Sequence, residues 1–254
     1  MSDSVHRIGE LPRVGPAALC MGVFDGVHLG HRALVELTAR VAAERGLASV
    51  ALLFDPPPIE VLRPDRRVPR LAPVGENLRR LRAAGITAPV ALHFDDALRQ
   101  LAPEEFLAAL APGIELRALV MTPDSAFGRS RAGTPEAMQQ HGGVAGFDVI
   151  TLDQLVEVGG EPVSSSQIRA HLGDGEIGAA RDLLGAPPYL TGIIGAGGAM
   201  AFEYLPALPA PGQYTASTRA GGGRVELEVE EGSGRVSGVP AGPVELDVTD
   251  RESR

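Results

Sequence analysis

Between Ala17 and Leu184 short apolar runs alternate with amphipathic stretches, and no other feature of the chain limits its fold so strongly. The run Ser49–Phe54 (SVALLF) has no polar residue after its serine, the mark of a strand covered on both faces, as in a parallel sheet. The same reading predicts strands over Ala17–Gly22, Pro89–Phe94, Arg117–Met121 and Asp148–Leu152. Helices are predicted over His31–Arg45, Glu76–Ala84, Pro103–Leu110 and Pro135–Gln140. The first of these aligns Leu34, Leu37 and Val41 on one face and stops at Gly46, the residue type that most readily closes a helix. Alternation of this kind implies right-handed crossovers and a Rossmann-like, doubly wound parallel α/β sheet. Ligands of such sheets bind beyond the carboxyl ends of the strands.

Two more helices are expected over Ser164–Leu172 and Glu176–Leu184; the first carries Ser164 and Gln167 at capping-box spacing. Beyond Pro187 the period changes to two. Arg224–Glu230 (RVELEVE) and Val244–Val248 (VELDV) alternate between Gly-rich turns, which predicts a small C-terminal antiparallel β domain, a sheet or partial barrel. The expected domains are therefore residues 1–186 and 187–254, with Thr249–Arg254 frayed.

Composition then narrows the chemistry. All 23 basic residues are arginines, which removes the lysine-dependent phosphate loop G-x-x-x-x-G-K-[ST] and Schiff-base catalysis. Bound phosphate has to be held by arginine, histidine, hydroxyls or backbone N–H groups. A net charge of −9 argues against nucleic acid and anionic membranes, which need a positive field. Cys20 is the single cysteine, so neither an intramolecular disulfide nor a Cys-based zinc site is expected. Met1–Arg13 lacks the apolar core of a secretory signal, and no apolar run approaches ~18 residues. A cytoplasmic location is expected.

Three segments carry chemistry. Gly22-Val-Phe-Asp-Gly-Val-His-Leu-Gly-His31 lies between the first strand and the first helix, with glycines at 22, 26 and 30 that allow sharp turns and close approach to a ligand. His28 and His31 stand at a helix start, where free N–H groups and the dipole favour an anion. They can stabilise charge during phosphoryl or nucleotidyl transfer, and turnover is then expected to change between pH 5.5 and 8. A glycine-rich turn with two solvated histidines, or a metal pair, is the alternative. Val163-Ser-Ser-Ser-Gln-Ile-Arg169 offers Ser164, Ser165 and Ser166 with Arg169 one turn on, either a phosphate site or a plain cap with an outward arginine. Phe54-Asp-Pro-Pro-Pro58 and Met121–Gly128 each follow a strand; Phe54 and Phe127 suit a flat ring, unless both are ordinary loops.

In this order the segments resemble the bifunctional bacterial FAD synthetases, which join a riboflavin kinase module to an FMN adenylyltransferase module. The matching stretches are GVFDGVHLGH at Gly22–His31, FDPPPIEVLRP at Phe54–Pro64, DSAFGRSRAG at Asp124–Gly133, VSSSQIRAHLGDGEIGAARDLLG at Val163–Gly185 and YLTG at Tyr189–Gly192. The resemblance implies an adenylyltransferase that makes FAD from ATP and FMN with Mg2+ and releases pyrophosphate. It implies His28, His31 and Arg169 as catalytic groups. It implies Gly22, Phe24, Asp25, Gly26, Gly30, Asp124, Ser164, Ser165 and Ser166 around the nucleotide, no protein metal ligand, and Phe54, Pro56, Pro58 and Phe127 around the acceptor. Another phosphorylated acceptor, cytidylyl transfer, or a non-catalytic nucleotide- or flavin-binding relative are the other readings, and the oligomeric state stays open. The second motif usually reads F-x-P-H-P, whereas Pro57 stands at the histidine position; Thr122, Pro123 and Ser125 replace three positions of the third. By the resemblance both changes fall on the acceptor side. The kinase motif G-F-P-T-A-N is missing, with Glu203 and Tyr204 in place of Pro and Thr. No riboflavin kinase activity is therefore expected, and the C-terminal part is expected to be too short for the full barrel and its closing helix.

Overall fold

A strand with a continuous apolar run such as Val50–Phe54 needs cover on two sides, and the computed structural model, which describes residues 4–252, provides it. The chain divides into two compact units, one of residues up to Arg67 with Val74–Pro162, the other of Val68–Pro73 with the residues from Val163 on. In the first unit β1 (Val5–His6), β2 (Gly15–Gly22), β3 (Ala48–Asp55), β4 (Ala88–His93), β5 (Ile114–Met121) and β6 (Asp148–Thr151) form one sheet in the order β1-β4-β3-β2-β5-β6. Every neighbouring pair in it is parallel. A two-stranded hairpin, β7 (Glu157–Val158) with β8 (Glu161–Pro162), follows.

The helices α1 (Leu29–Arg45), α2 (Pro58–Leu62), α3 (Val74–Ala83), α4 (Asp96–Arg99), α5 (Pro103–Leu110) and α6 (Pro135–Ala145) connect these strands. Successive strand residues split between two buried clusters. Cys20, Ala51, Leu53 and Val120 pack with Leu34 and Val35 of α1 and Leu78 and Leu81 of α3. Leu19, Val50, Leu52 and Leu119 pack with Phe106 and Leu110 of α5 and Met138 of α6. Each fully buried leucine contributes about 1.5–3 kcal/mol, so the period-two split holds helices against both faces. From β2 the chain proceeds to β3 past α1, on one face, and later re-enters beside β2 as β5 past α5, on the other. The topological switch, where such folds bind ligands, therefore lies between the carboxyl ends of β2 and β5.

Most element ends fall within a few residues of the sequence expectation, and two of the shifted helix ends have a visible cause. Helix α1 starts at Leu29 because His28 caps it. Helix α6 runs past Gln140 to Ala145 despite two glycines, because Gly142 is a contact point: a Cβ there would lie 2.5 Å from the Phe147 carbonyl oxygen.

The second unit contains α7 (Ser165–Asp174), α8 (Ile177–Leu184), β9 (Tyr189–Ile194), β10 (Ala199–Ala201), β11 (Gly212–Thr218), β12 (Arg224–Glu230), β13 (Ser233–Ser237) and β14 (Gly242–Arg251). The six strands form a closed barrel in the order β10-β13-β12-β11-β14-β9, which corrects the expected partial, truncated one. Closure is possible because β14 is ten residues long and pairs first with β9, through Gly242–Asp247, and then with β11, through Leu246–Arg251. Thr249–Arg251 are accordingly strand residues rather than frayed ends, and residues 253–254 lie outside the described part. Val225, Leu227 and Val229 of β12 point inward, as the period-two reading requires. Helices α7 and α8, which the sequence rhythm groups with the first domain, belong to the same compact unit as the barrel; α8 packs on β14. Residues 68–73 form a strap within this unit. Arg70 donates its N–H to the Leu205 carbonyl and accepts from the Ala207 N–H, both at 2.8 Å.

Candidate functional site

The loop from β2 to α1 bends through three left-handed residues, Phe24 (φ 49°), Gly26 (φ 76°) and Val27 (φ 46°). Of the glycines at 22, 26 and 30 only Gly26 is used in this way. The other two positions are occupied by side chains that strain the backbone, by about 1–3 kcal/mol each, most for the β-branched valine. Burial anchors both: Phe24 is 0% and Val27 1% exposed. Helix α3 holds the turn from the side. The Asn77 Oδ1 accepts the Gly26 N–H at 2.9 Å, and Arg80 Nη1 donates to the Gly26 carbonyl at 2.7 Å. Arg80 Nε in turn donates to Glu76 Oε1 at 2.7 Å. Sequence reasoning missed Asn77 and Arg80, which stand some fifty residues away with no local pattern to mark them.

This turn delivers His28 to the start of α1, where its Nδ1 accepts the His31 N–H at 3.4 Å. In the neutral ring the proton is then assigned to Nε2, a donor. The two imidazoles stack with centroids 3.6 Å apart and 21° between planes, and the Phe24 ring meets His31 edge-on at 5.2 Å. His28 is buried, so it is not a solvated surface histidine. His31 Nδ1 is buried and has no hydrogen-bond partner among the described residues, an unusual state for a polar atom unless a ligand completes it. Burial, assisted by the neighbouring His28, holds the His31 imidazole well below the usual histidine range. His31 is therefore neutral at pH 7 and meets an anion as an N–H donor rather than as a cation.

At the end of β5, Thr122 donates its hydroxyl proton to Asp124 Oδ1 at 2.7 Å. Ser125 Oγ lies 2.6 Å from the Thr122 hydroxyl and accepts the Thr122 N–H at 2.9 Å. The replaced positions of the third motif thus form a closed hydrogen-bonded turn with Asp124 exposed on it.

Between the ends of β3 and β4 and helix α5 lies a cavity of about 430 Å3, walled by Phe54, Phe94, Phe106 and Phe127, a size typical of small-molecule sites. The rings meet edge to face, with centroids 5.5 Å apart for Phe54–Phe94 and 5.7 Å for Phe106–Phe127. Pro58 lines it too, but Pro56, which follows a cis peptide bond, does not. Arg99, Arg129 and Arg131 add positive charge to the lining. The last two sit on a loop closed by paired backbone bonds between Phe127 and Gly133, with Ser130 and Arg131 both at φ 58°. Phe94 and Phe106 escaped sequence reasoning because each reads as an ordinary core position of a strand or helix.

In the second unit Ser164 caps α7: its hydroxyl accepts the Gln167 N–H at 3.3 Å while Gln167 Oε1 accepts the Ser164 N–H at 3.0 Å. Ser165 opens the helix and Ser166 is exposed. Arg169 donates through Nε to the Pro69 carbonyl at 2.7 Å, a structural tie to the strap. Among the described residues no group of three or more His, Cys, Asp and Glu side chains could hold a metal ion. No helix among them is long and apolar enough to cross a membrane.

Comparison with known proteins adds to this geometry. A family model described as FAD synthetase matches residues 12–167. The bifunctional riboflavin kinase/FMN adenylyltransferase of Escherichia coli K12 is 31% identical over 191 residues, 75% of this chain and 60% of that protein. Proteins of the same description match from Bacillus subtilis 168 (29% over 180 residues, 70% and 56%) and Pseudomonas fluorescens (33% over 175 residues, 68% and 56%). The chain thus spans about 60% of the length of the curated relatives it matches. A crystal structure described as a macrolide-efflux protein from Streptococcus pneumoniae superposes with a TM-score of 0.84 at 21% identity, over 98% of this chain and 90% of that one. That likeness is one of fold.

Proposed function

This chain belongs to the FAD synthetase family, and on that premise we propose that it is an ATP-dependent nucleotidyltransferase that joins ATP and FMN into FAD and releases pyrophosphate. The observation that carries the reading is the stacked His28–His31 pair at the start of α1, with the buried His31 Nδ1 lacking a hydrogen-bond partner among the described residues. Imidazole donors and first-turn N–H groups of α1 hold the phosphates without lysine. A phosphate oxygen of FMN attacks the α-phosphorus in line, the bond from that phosphorus to the bridging oxygen breaks, and pyrophosphate leaves with the electron pair. No covalent intermediate on the protein is needed; positioning and charge stabilisation supply the rate. Gly22, Phe24, Asp25, Gly26 and Gly30 shape the phosphate loop. Ser164, Ser165, Ser166 and Arg169 are proposed as the second phosphate-binding set, and Asp124 as a polar contact. Mg2+ prefers phosphate oxygens and water with one or two carboxylates. Among the described residues no cluster could hold it alone, so it is proposed to enter with ATP and to screen the phosphate charge. The phenylalanine-walled cavity supports a flat acceptor, and its arginines support a phosphorylated one. The functional modules are proposed as residues 1–186 and 187–254, in a cytoplasmic protein.

A second reading, transfer to another phosphorylated aromatic acceptor, is favoured by Pro57, Thr122 and Ser125 at acceptor-side positions. One experiment tests both. Purified protein with Mg2+ and ATP, or CTP, is given FMN or a panel of phosphorylated aromatics, and pyrophosphate and products are measured. FAD and pyrophosphate are expected from ATP and FMN, with no FMN from riboflavin and ATP, because Glu203 and Tyr204 replace the kinase residues. Release of pyrophosphate with another acceptor alone favours the second reading. Nucleotide binding without turnover on any acceptor makes the chain a binding protein and refutes both.

A further inference from the structure

We infer that Asn77 and Arg80 of α3 are positioning residues that set the orientation of the histidine pair by clamping the single peptide segment of Gly26. The inference rests on the adenylyl-transfer reading of the site. Both polar groups of Gly26 are taken by α3, its N–H by Asn77 at 2.9 Å and its carbonyl by Arg80 at 2.7 Å. The clamp is itself fixed. Glu76, with a side chain 3% exposed, receives Arg80 Nε at 2.7 Å and Arg79 through Nε at 2.7 Å and Nη2 at 2.8 Å. Burying a carboxylate beside a guanidinium costs desolvation that packing alone would avoid, so geometry is the gain to look for. Gly26 is the residue through which that geometry passes. It lies between Phe24 and Val27, each held at a positive φ that a relaxed chain would leave, and His28 follows Val27 directly. If the clamp is released, the strain is relieved by rotation of the peptides that carry His28. The stacking at 3.6 Å and the 3.4 Å bond from the His31 N–H to His28 Nδ1 then change together. A catalytic group displaced by about 1 Å loses on the order of a hundredfold in rate, whereas the binding of ATP, shared among many contacts, changes far less.

The test uses Asn77→Leu, which keeps the volume and removes the acceptor, and Asn77→Asp, which restores it. Asn77→Leu is expected to lower kcat by roughly ten- to a hundredfold with KM for ATP changed less than about threefold. It is also expected to shift the imidazole 15N signals of His28 and His31 at pH 7.5, and Asn77→Asp is expected to recover both. A folded Asn77→Leu protein with wild-type kcat and unmoved imidazole signals overturns the inference, as does a loss that Asn77→Asp fails to recover. Should Asn77→Leu not fold, Arg80→Lys takes its place: one ammonium cannot span Glu76 and the Gly26 carbonyl as the guanidinium does, so the same kcat loss and signal shift are expected. The imidazole signals keep the two claims apart. If the wild-type protein transfers no nucleotide, moved signals still support the clamp while the transfer reading falls, and unmoved signals remove the clamp.

Discussion

Acidification from pH 7.5 to 5.5 should destabilise the protein specifically through His31. In the unfolded chain this imidazole takes up a proton near pH 6.5; in the folded chain burial and the neighbouring His28 hold it neutral to well below that value. The sign follows from the direction. Above pH 6.5 neither state binds the proton and the full stability is present. As the pH falls through 6.5 the unfolded state gains a proton that the folded state refuses, and stability declines. One such proton costs about 1.4 kcal/mol per pH unit once the unfolded group is charged, so the step to pH 5.5 removes roughly 1.4 kcal/mol. For a chain of this size that is a Tm loss of roughly 3–6 °C. Thermal melts of the wild type and His31→Gln at both pH values isolate the effect, because every other titrating group is shared. The wild type should lose those extra degrees, and saturating Mg-ATP should reduce the loss, since phosphate charge favours the imidazolium and raises the folded pKa. Equal acid sensitivity in the two proteins would refute the argument that His31 is held neutral.

Three further outcomes follow from contacts. Gly142→Ala gains helix propensity, but its Cβ would meet the Phe147 carbonyl at 2.5 Å; a net loss of about 1–2 kcal/mol is expected. Gly143→Ala, with nothing within 4 Å of the new Cβ, should instead stabilise by about 0.5–1 kcal/mol, and chemical denaturation reads both. Phe127→Ala removes one wall of the aromatic cavity. It should raise KM for the acceptor by about tenfold or more while KM for ATP stays put; steady-state kinetics with each substrate varied checks it.

What was legible in the sequence is what depends on neighbours along the chain. The continuous apolar strands disclosed the parallel sheet, because two-sided burial leaves no polar position, and the capping box at Ser164 and Gln167 announced a helix start. His28 and His31 were legible as a short-range pattern. What failed depends on partners far apart. Nothing near Gly26 signals that Asn77 and Arg80 will hold it, and nothing near Phe24 or Val27 signals a left-handed backbone, because tertiary burial imposes it against local preference. The neutrality of His31 is likewise a property of its surroundings. Barrel closure was missed because the period-two pattern of Val244–Val248 gives an inward face but not the second pairing edge of a ten-residue strand.

The strap at residues 68–73 makes the barrel-bearing unit discontinuous in sequence. During synthesis these six residues leave the ribosome about ninety residues before Val163, among strands that belong to the other unit, and they must stay available until the barrel is made. A fragment that starts at Val163 would lack them. The Leu205 carbonyl, the Ala207 N–H and the Arg169 guanidinium would lose partners they have in the whole chain, and the buried Leu71 and Ala72 would be absent. The C-terminal unit is thus compact in space without being separable by a single cut, and supplying the 68–73 segment as a peptide is the way to make such a fragment whole.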